Sequence, residues 1–213
     1  MPVFQLTEEL IFPHPSLAKD GLLAVGGDLS PERLLLAYEN GIFPWYNEGE
    51  PILWHAPDPR FVLYPKNIKI SKSMKQVLNK QNYKLKVDNA FEEVIRLCKE
   101  VKRAEEDGTW ITNDIERAYI QLHKRGFAHS IEVYNKNGKL VGGVYGIKLG
   151  SVFFGESMFQ LESNMSKIAL IHLAQNFRLS LIDCQVHTKH LASMGAEEIP
   201  LTEFLLLLKE HTT

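Results

Sequence analysis

The chain has 213 residues, 45% of them hydrophobic and 23% charged, with a formal net charge of −2, the composition of an ordinary soluble globular protein with one large or two smaller domains. No apolar run approaches the ~20 residues that span a bilayer. The opening Met1-Pro2-Val3-Phe4 lacks the basic and long apolar regions of a signal peptide, and two cysteines, Cys98 and Cys184, are too few for a disulfide framework, so the cytoplasm is the expected compartment.

The first 60 residues are rich in turns: Phe12-Pro13-His14-Pro15, Gly26-Gly27-Asp28, Pro44-Trp45-Tyr46 and Ala56-Pro57-Asp58-Pro59. One helix is clear there, with Ser30 as N-cap, Pro31 at the first helical position and Gly41 past the last turn. A small N-terminal domain is expected over residues 1–61, its boundary near Arg60 to Tyr64, followed by a second domain over 62–213. Ser71 to Asn79 reads as a short helix. Asp88 is the expected cap of a longer one carrying Phe91, Val94, Ile95, Cys98 and Val101 at helical spacing, and Asn113, with Glu116 three residues on, of another ending at Gly126.

The period then changes. Ser130 to Tyr134 alternates as a half-buried strand, Asn137-Gly138 turns into Leu140 to Tyr145, and Lys148 to Gly150 turns again into Ser151 to Phe154, an antiparallel meander that Gly155-Glu156-Ser157-Met158-Phe159 closes. Ser166 to Phe177 is a helix apolar on more than one face, hence well buried. A strand follows at Leu181 to Val186, a helix-like stretch at His187 to Met194, and a final helix at Glu203 to Lys209 with Thr202 as its cap. Meander, helix, strand and helix make an α+β arrangement with one crossover.

Two acids and an amide, Glu156, Asp183 and Gln185, thus fall at the ends of buried strands, where an isolated carboxylate is costly unless it has a partner or a task. Alternation puts Asp183 and Gln185 on one face and Cys184, read as an inert core thiol, on the other. His187 and His190 stand three apart beside Asp183, but nothing completes a metal ligand set. Neither a Gly-x-Ser-x-Gly elbow nor a P-loop occurs, against a hydrolase or NTPase of those types.

Charge is unevenly spread. Arg60 to Lys86 holds eight basic residues and no acid, whereas Met1 to Pro59 holds nine acids against Lys19 and Arg33. A one-signed block is either a polyanion footprint or a solvated face balanced elsewhere. Trp45 and Trp110 lie in turn-like segments and could stack a base or plug a seam; together with the basic block they favour nucleic acid.

Six blocks occur in one order: Gly26-Gly27-Asp28-Leu29, Gly41-Ile42-Phe43-Pro44-Trp45, Gly108-Thr109-Trp110-Ile111-Thr112, Gly155 to Phe159, Leu181-Ile182-Asp183-Cys184-Gln185 and His190 to Gly195. Together, from about Phe12 to about Leu208, the chain resembles the bacterial leucyl/phenylalanyl-tRNA–protein transferases. The resemblance implies an acetyltransferase-like C-terminal domain, a mostly antiparallel central sheet flanked by helices, beside a small α+β N-terminal domain. It implies transfer of Leu or Phe, and also Met, from aminoacyl-tRNA to proteins beginning with Arg or Lys, which marks them for N-degron degradation.

The implied catalytic residues are Asp183 and Gln185, which accept or relay the amine's proton and orient the amine, and Glu156, which fixes the aminoacyl group or holds Gln185. The ribose hydroxyl of the tRNA is an alternative proton shuttle. Val144, Phe153, Leu170 and Leu173 are implied to line the aminoacyl pocket. Trp45 and Trp110 are candidates for gripping the tRNA 3′ end, and Lys66, Lys69, Lys72 and Lys75 for its backbone. The role of Thr188 stays open. An aminoacyl ester is already activated, so no cofactor or metal is expected; the chain is expected to work as a monomer, away from membranes. A CoA-dependent N-acyltransferase is disfavoured because Gln160 to Ser166 lacks the glycines of a pyrophosphate loop. A non-catalytic tRNA- or peptide-binding module would explain the basic block equally well but would not need Asp183 or Gln185.

Overall fold

The structure, a computed structural model, describes residues 3–101 and 110–212. The N-terminal part is built on a four-stranded sheet of β1 (Phe4–Leu6), β2 (Leu22–Gly26), β3 (Phe43–Pro44) and β4 (Leu53–His55) in the order β1-β2-β4-β3. Between β2 and β3 runs α1 (Pro31–Glu39), capped by Ser30, whose hydroxyl accepts the Arg33 N–H; Gly41, at φ 71°, follows its end. Pro31 suits the first position because its missing N–H has no helical partner to lose. Arg33 is fully buried and donates to Asp28 and to the carbonyls of Thr7, Glu8 and Glu9, which ties the first strand's exit to the helix.

Between His55 and Arg60 the chain passes into a seven-stranded sheet. Its strands are β5 (Arg60–Leu63), β6 (Tyr83–Val87), β7 (Ala128–Asn135), β8 (Leu140–Leu149), β9 (Val152–Gln160), β10 (Leu181–Gln185) and β11 (Glu197–Ile199), ordered β11-β5-β10-β9-β8-β7-β6. All neighbours are antiparallel except β9 and β10, which are parallel. The flanking helices are α2 (Lys72–Lys80), α3 (Phe91–Glu100), α4 (Asn113–Lys124), α5 (Met165–Asn176), α6 (Lys189–Ser193) and α7 (Leu201–His211). This is the α+β body, a mostly antiparallel central sheet flanked by helices, that the resemblance implied.

Three expected caps differ. Asp88 does not cap α3; it turns at φ 53° to accept from the Ser130 N–H and to face His129, while buried Glu132 accepts the N–H groups of Asn89 and Ala90 at the helix start. Thr112, not Asn113, caps α4 by accepting the Ile115 N–H. At α7 the backbone N–H of Leu201 is met by Asp58 from the other end of the chain, and Thr202 lies inside the helix. A carboxylate distant in sequence serves a helix end as well as a local side chain does. Thr188 has a definite place: its hydroxyl accepts the Leu191 N–H and caps α6.

The crossover helix α5 lies directly on β8. A methyl group on Gly142 would come within 2.4 Å of the Met165 Cβ, so only glycine admits the start of α5 there. Two apolar clusters fill the body. One joins Leu23, Tyr38 and Trp54 of the N-terminal part to Tyr145 and Phe154 of the large sheet; the other packs α5 through Ile168, Leu170 and Leu173 against Val144, Phe153 and Ile182.

Candidate active site

The sheet opens where its one parallel pair ends. Strands β9 and β10 pair only through Leu181–Val152, Ile182–Phe153 and Asp183–Phe154. Just beyond, each strand carries an irregularity. The β8–β9 register steps from Tyr145–Ser157 to Gly146–Gly155 and passes over Glu156; the β10–β5 register steps from Asp183–Val62 to Gln185–Phe61 and passes over Cys184. Bulges re-aim side chains, and two on neighbouring strands turn Glu156 and Gln185 toward each other. Gln185 completes its turn at φ 64°, a left-handed conformation that is rare outside glycine. Strict alternation therefore fails at this point, and Cys184 lines the same cavity as Asp183 and Gln185. Burial pushes its thiol pKa upward, consistent with an inert thiol.

The cavity in the opening measures about 320 Å³. Its walls include Val144, Phe153, Leu170 and Leu173, and Trp45 and Trp110 line it together with Phe43 and Pro44. Trp45 is 39% exposed and Trp110 only 9%. Glu156, Asp183 and Gln185 also line it, so the nine residues proposed from sequence for chemistry, aminoacyl group and 3′ end meet around one space. The lysines do not. Lys66, Lys69, Lys72 and Lys75 are exposed on the segment leading into and along α2, away from the cavity lining. Arg60 leaves their company altogether: it is fully buried and faces Asp183.

Glu156 is almost completely buried, at 7% exposure, and its carboxylate is surrounded. The Tyr38 hydroxyl donates to Oε1 at 2.8 Å, the Tyr119 hydroxyl to Oε2 at 3.1 Å, and the Gln185 Nε2 to Oε1 at 3.1 Å. The two tyrosine oxygens also lie within hydrogen-bond reach of each other, so one hydroxyl shares its single hydrogen between its neighbour and Glu156. Burial pushes the Glu156 pKa up to about 8, with the nearby Asp183 adding to the rise, against the opposing tyrosine hydrogen bonds and Arg60. Both tyrosines are raised well above their ordinary value, first by burial and then by Glu156. Because the Gln185 Nε2 is committed to Glu156, its amide oxygen is the end left to accept from a cavity occupant.

Tyr38 and Tyr119 escape sequence reading because each sits on the apolar face of a helix, α1 and α4, where an aromatic reads as core. Arg60 had a faint signal, a cation set against the apolar run Phe61-Val62-Leu63. His187 packs at a tilt on Phe61 with ring centroids 5.0 Å apart, and the pKa of His190 is lowered by burial and then by Lys167. Among the described residues, no group of three or more His, Cys, Asp or Glu is placed to hold a metal ion, and no helix is long and apolar enough to cross a membrane.

A family model described as "Leucyl/phenylalanyl-tRNA protein transferase" matches residues 62–209, and one for the N-terminal domain of the same family matches residues 27–58. A protein of Syntrophobacter fumaroxidans named leucyl/phenylalanyl-tRNA–protein transferase is 57% identical over 215 residues, covering 99% of this chain and 92% of its own. A protein of the same name from Syntrophus aciditrophicus is 53% identical over 214 residues, 99% of this chain and 89% of its own. Among solved structures, a conserved protein of unknown function from Staphylococcus epidermidis is similar at a TM-score of 0.48 and 12% identity, over 84% of this chain and 68% of that one.

Proposed function

This chain belongs to the leucyl/phenylalanyl-tRNA–protein transferases, and from that premise we propose how its cavity carries out the transfer. It is an aminoacyltransferase that moves an amino acid from aminoacyl-tRNA to the N-terminus of a protein. We take the donor residue to be Leu or Phe, and also Met, and the acceptor to begin with Arg or Lys, the product being an N-degron. The setting is the cytoplasm and the working unit a monomer.

The observation that supports this reading is the make-up of the cavity. Apolar walls from Val144, Phe153, Leu170 and Leu173 suit an uncharged side chain, the two tryptophans suit a terminal base, and the same space is lined by the amide of Gln185, anchored on Glu156. The acceptor's nitrogen attacks the ester carbonyl, a C–N bond forms, the bond to the ribose oxygen breaks, and one proton passes from nitrogen to that oxygen. The Gln185 oxygen accepts from the attacking amine and orients it. Glu156 holds that amide in register, and Asp183 accepts the backbone N–H of Gln185. The proton travels through these groups or through the neighbouring ribose hydroxyl. The already activated ester supplies the driving force, so the scheme calls on no cofactor. On this reading residues 1–61 form a small domain that closes the cavity with Phe43, Pro44 and Trp45, and residues 62–213 the catalytic domain.

The test is direct. The protein is mixed with Phe-tRNA and a peptide beginning with Arg, and the product is weighed. Gain of one Phe residue at the N-terminus is expected; an unmodified peptide beside intact, bound Phe-tRNA would leave only a binding module.

A further inference from the structure

Arg60 opens β5, and its guanidinium is withdrawn from solvent entirely. The Nε donates to Asp183 Oδ1 at 2.8 Å and Nη2 to Oδ2 at 2.6 Å, a fork closed on a carboxylate that is itself fully buried. The Cζ atom lies 4.7 Å from the ring centre of Phe43 and 4.6 Å from that of Phe204. One cation therefore joins a strand of the small sheet, the C-terminal helix and the strand that carries the site. Among the described residues its buried Nη1 has no hydrogen-bond partner, which is costly.

A buried ion pair is a poor way to stabilise a core, because desolvating two charges offsets most of their attraction, and apolar residues of similar volume often do better. What the pair supplies is geometry. Asp183 Oδ1 also accepts the backbone N–H of Gln185 at 2.9 Å, at the bulge where Gln185 adopts φ 64°. A left-handed turn at a non-glycine residue persists only when its surroundings over-determine it. Here a chain of hydrogen bonds runs from the guanidinium to the carboxylate, from the carboxylate to the Gln185 N–H, and from the Gln185 amide to Glu156.

We propose that Arg60 is a positioning residue for the transfer: its fork holds the Asp183 carboxylate in one orientation, and through the Gln185 backbone sets the aim of the Gln185 side chain into the cavity. Lysine would keep the charge but not the two-point grip, so the two residues are not interchangeable here. This inference rests on the transferase reading above.

Wild-type transfer of Phe to an Arg-initiated peptide is measured first, and its absence would sink that underlying reading without reference to Arg60. With transfer established, R60K is expected to lower kcat by about tenfold to a hundredfold while KM for Phe-tRNA stays near wild type, the mark of impaired orientation rather than impaired binding. R60Q leaves a buried carboxylate without its cation. Its kcat should fall at least as far as that of R60K, again with KM for Phe-tRNA near wild type. In R60Q/D183N neither charge remains: this variant should melt no lower than R60Q and turn over no more slowly than D183N, because both substitutions break the same chain of hydrogen bonds. Wild-type kcat in R60K would overturn the proposal. So would a double variant slower than D183N by the full factor that R60Q alone imposes, since Arg60 would then act independently of Asp183.

Discussion

Glu132 on β7 and Glu156 on β9 are both buried acids in the same sheet, though only Glu156 falls in a block that carries the family resemblance. Their partners separate them. Glu132 accepts from the Ser130 hydroxyl at 2.6 Å and from the backbone N–H groups of Asn89 and Ala90, so it closes the start of α3. Those donors lie within the framework, and the carboxylate is not among the groups that line the site. Glu156 is held instead by two tyrosine hydroxyls and by the side-chain amide of Gln185, at the wall of the cavity. Burial of an acid is thus no mark of a site. An acid satisfied by backbone N–H groups replaces a missing cap, and one satisfied by side chains that reach a cavity can take part in what happens there.

The largest effect that would sharpen this contrast is on turnover. Asp183→Asn and Gln185→Ala should each slow transfer by at least ~100-fold, the scale of a positioned group at the reacting atoms, with little change in Phe-tRNA affinity. Glu132→Gln should leave turnover within about twofold and lower stability by ~1–3 kcal/mol, the cost of weakening a buried, fully used acceptor. Single-turnover rates beside urea titrations decide it, and a slow but stable Glu132→Gln variant would erase the distinction.

A smaller effect concerns pH. The folded protein raises the Glu156 pKa from the ordinary carboxylate range to about 8. Between those values the native state holds a proton that the unfolded chain has released. The associated stability is therefore fully present at acid pH and declines as pH rises toward about 8, by up to ~1.4 kcal/mol per pH unit for one group. Glu156→Gln should remove that decline, and Glu132→Gln should keep it. Urea midpoints at pH 5, 6.5 and 8 would show it, and the same slope in Glu156→Gln as in the wild type would assign the proton to another group.

The smallest effect falls on the exposed face. Removing Lys66, Lys69 and Lys72 together should flatten the log–log fall of Phe-tRNA affinity with salt by roughly one unit for each phosphate no longer neutralised, because each neutralised phosphate releases a counterion. Trp110→Ala should weaken binding by a similar factor at every salt concentration and leave the slope alone. An unchanged slope in the triple lysine variant would mark α2 and the segment before it as a solvated surface.

Sequence by itself determined the local features, because their physics is local. The Ser30 cap and Pro31 start of α1, the Asn137-Gly138 hairpin, the apolar wrap of α5 and the apolar strand Leu181-Ile182 follow from neighbours within a few residues. The ordered blocks around Glu156 and Asp183 likewise carried the family resemblance. Tertiary structure alone decided the rest. Period-two alternation cannot foresee a bulge, so the turning of Gln185 toward Glu156 and the placing of Cys184 in the cavity wall came only with the β8–β9 and β10–β5 registers. Composition cannot say which cation of a basic block is buried, so Arg60, counted among the surface charges, emerged as the partner of an acid 123 positions away. Caps given by Glu132 to α3 and by Asp58 to α7 were equally out of reach, because a helix end accepts any oxygen that the fold delivers to it, and delivery is a matter of packing rather than of adjacent residues.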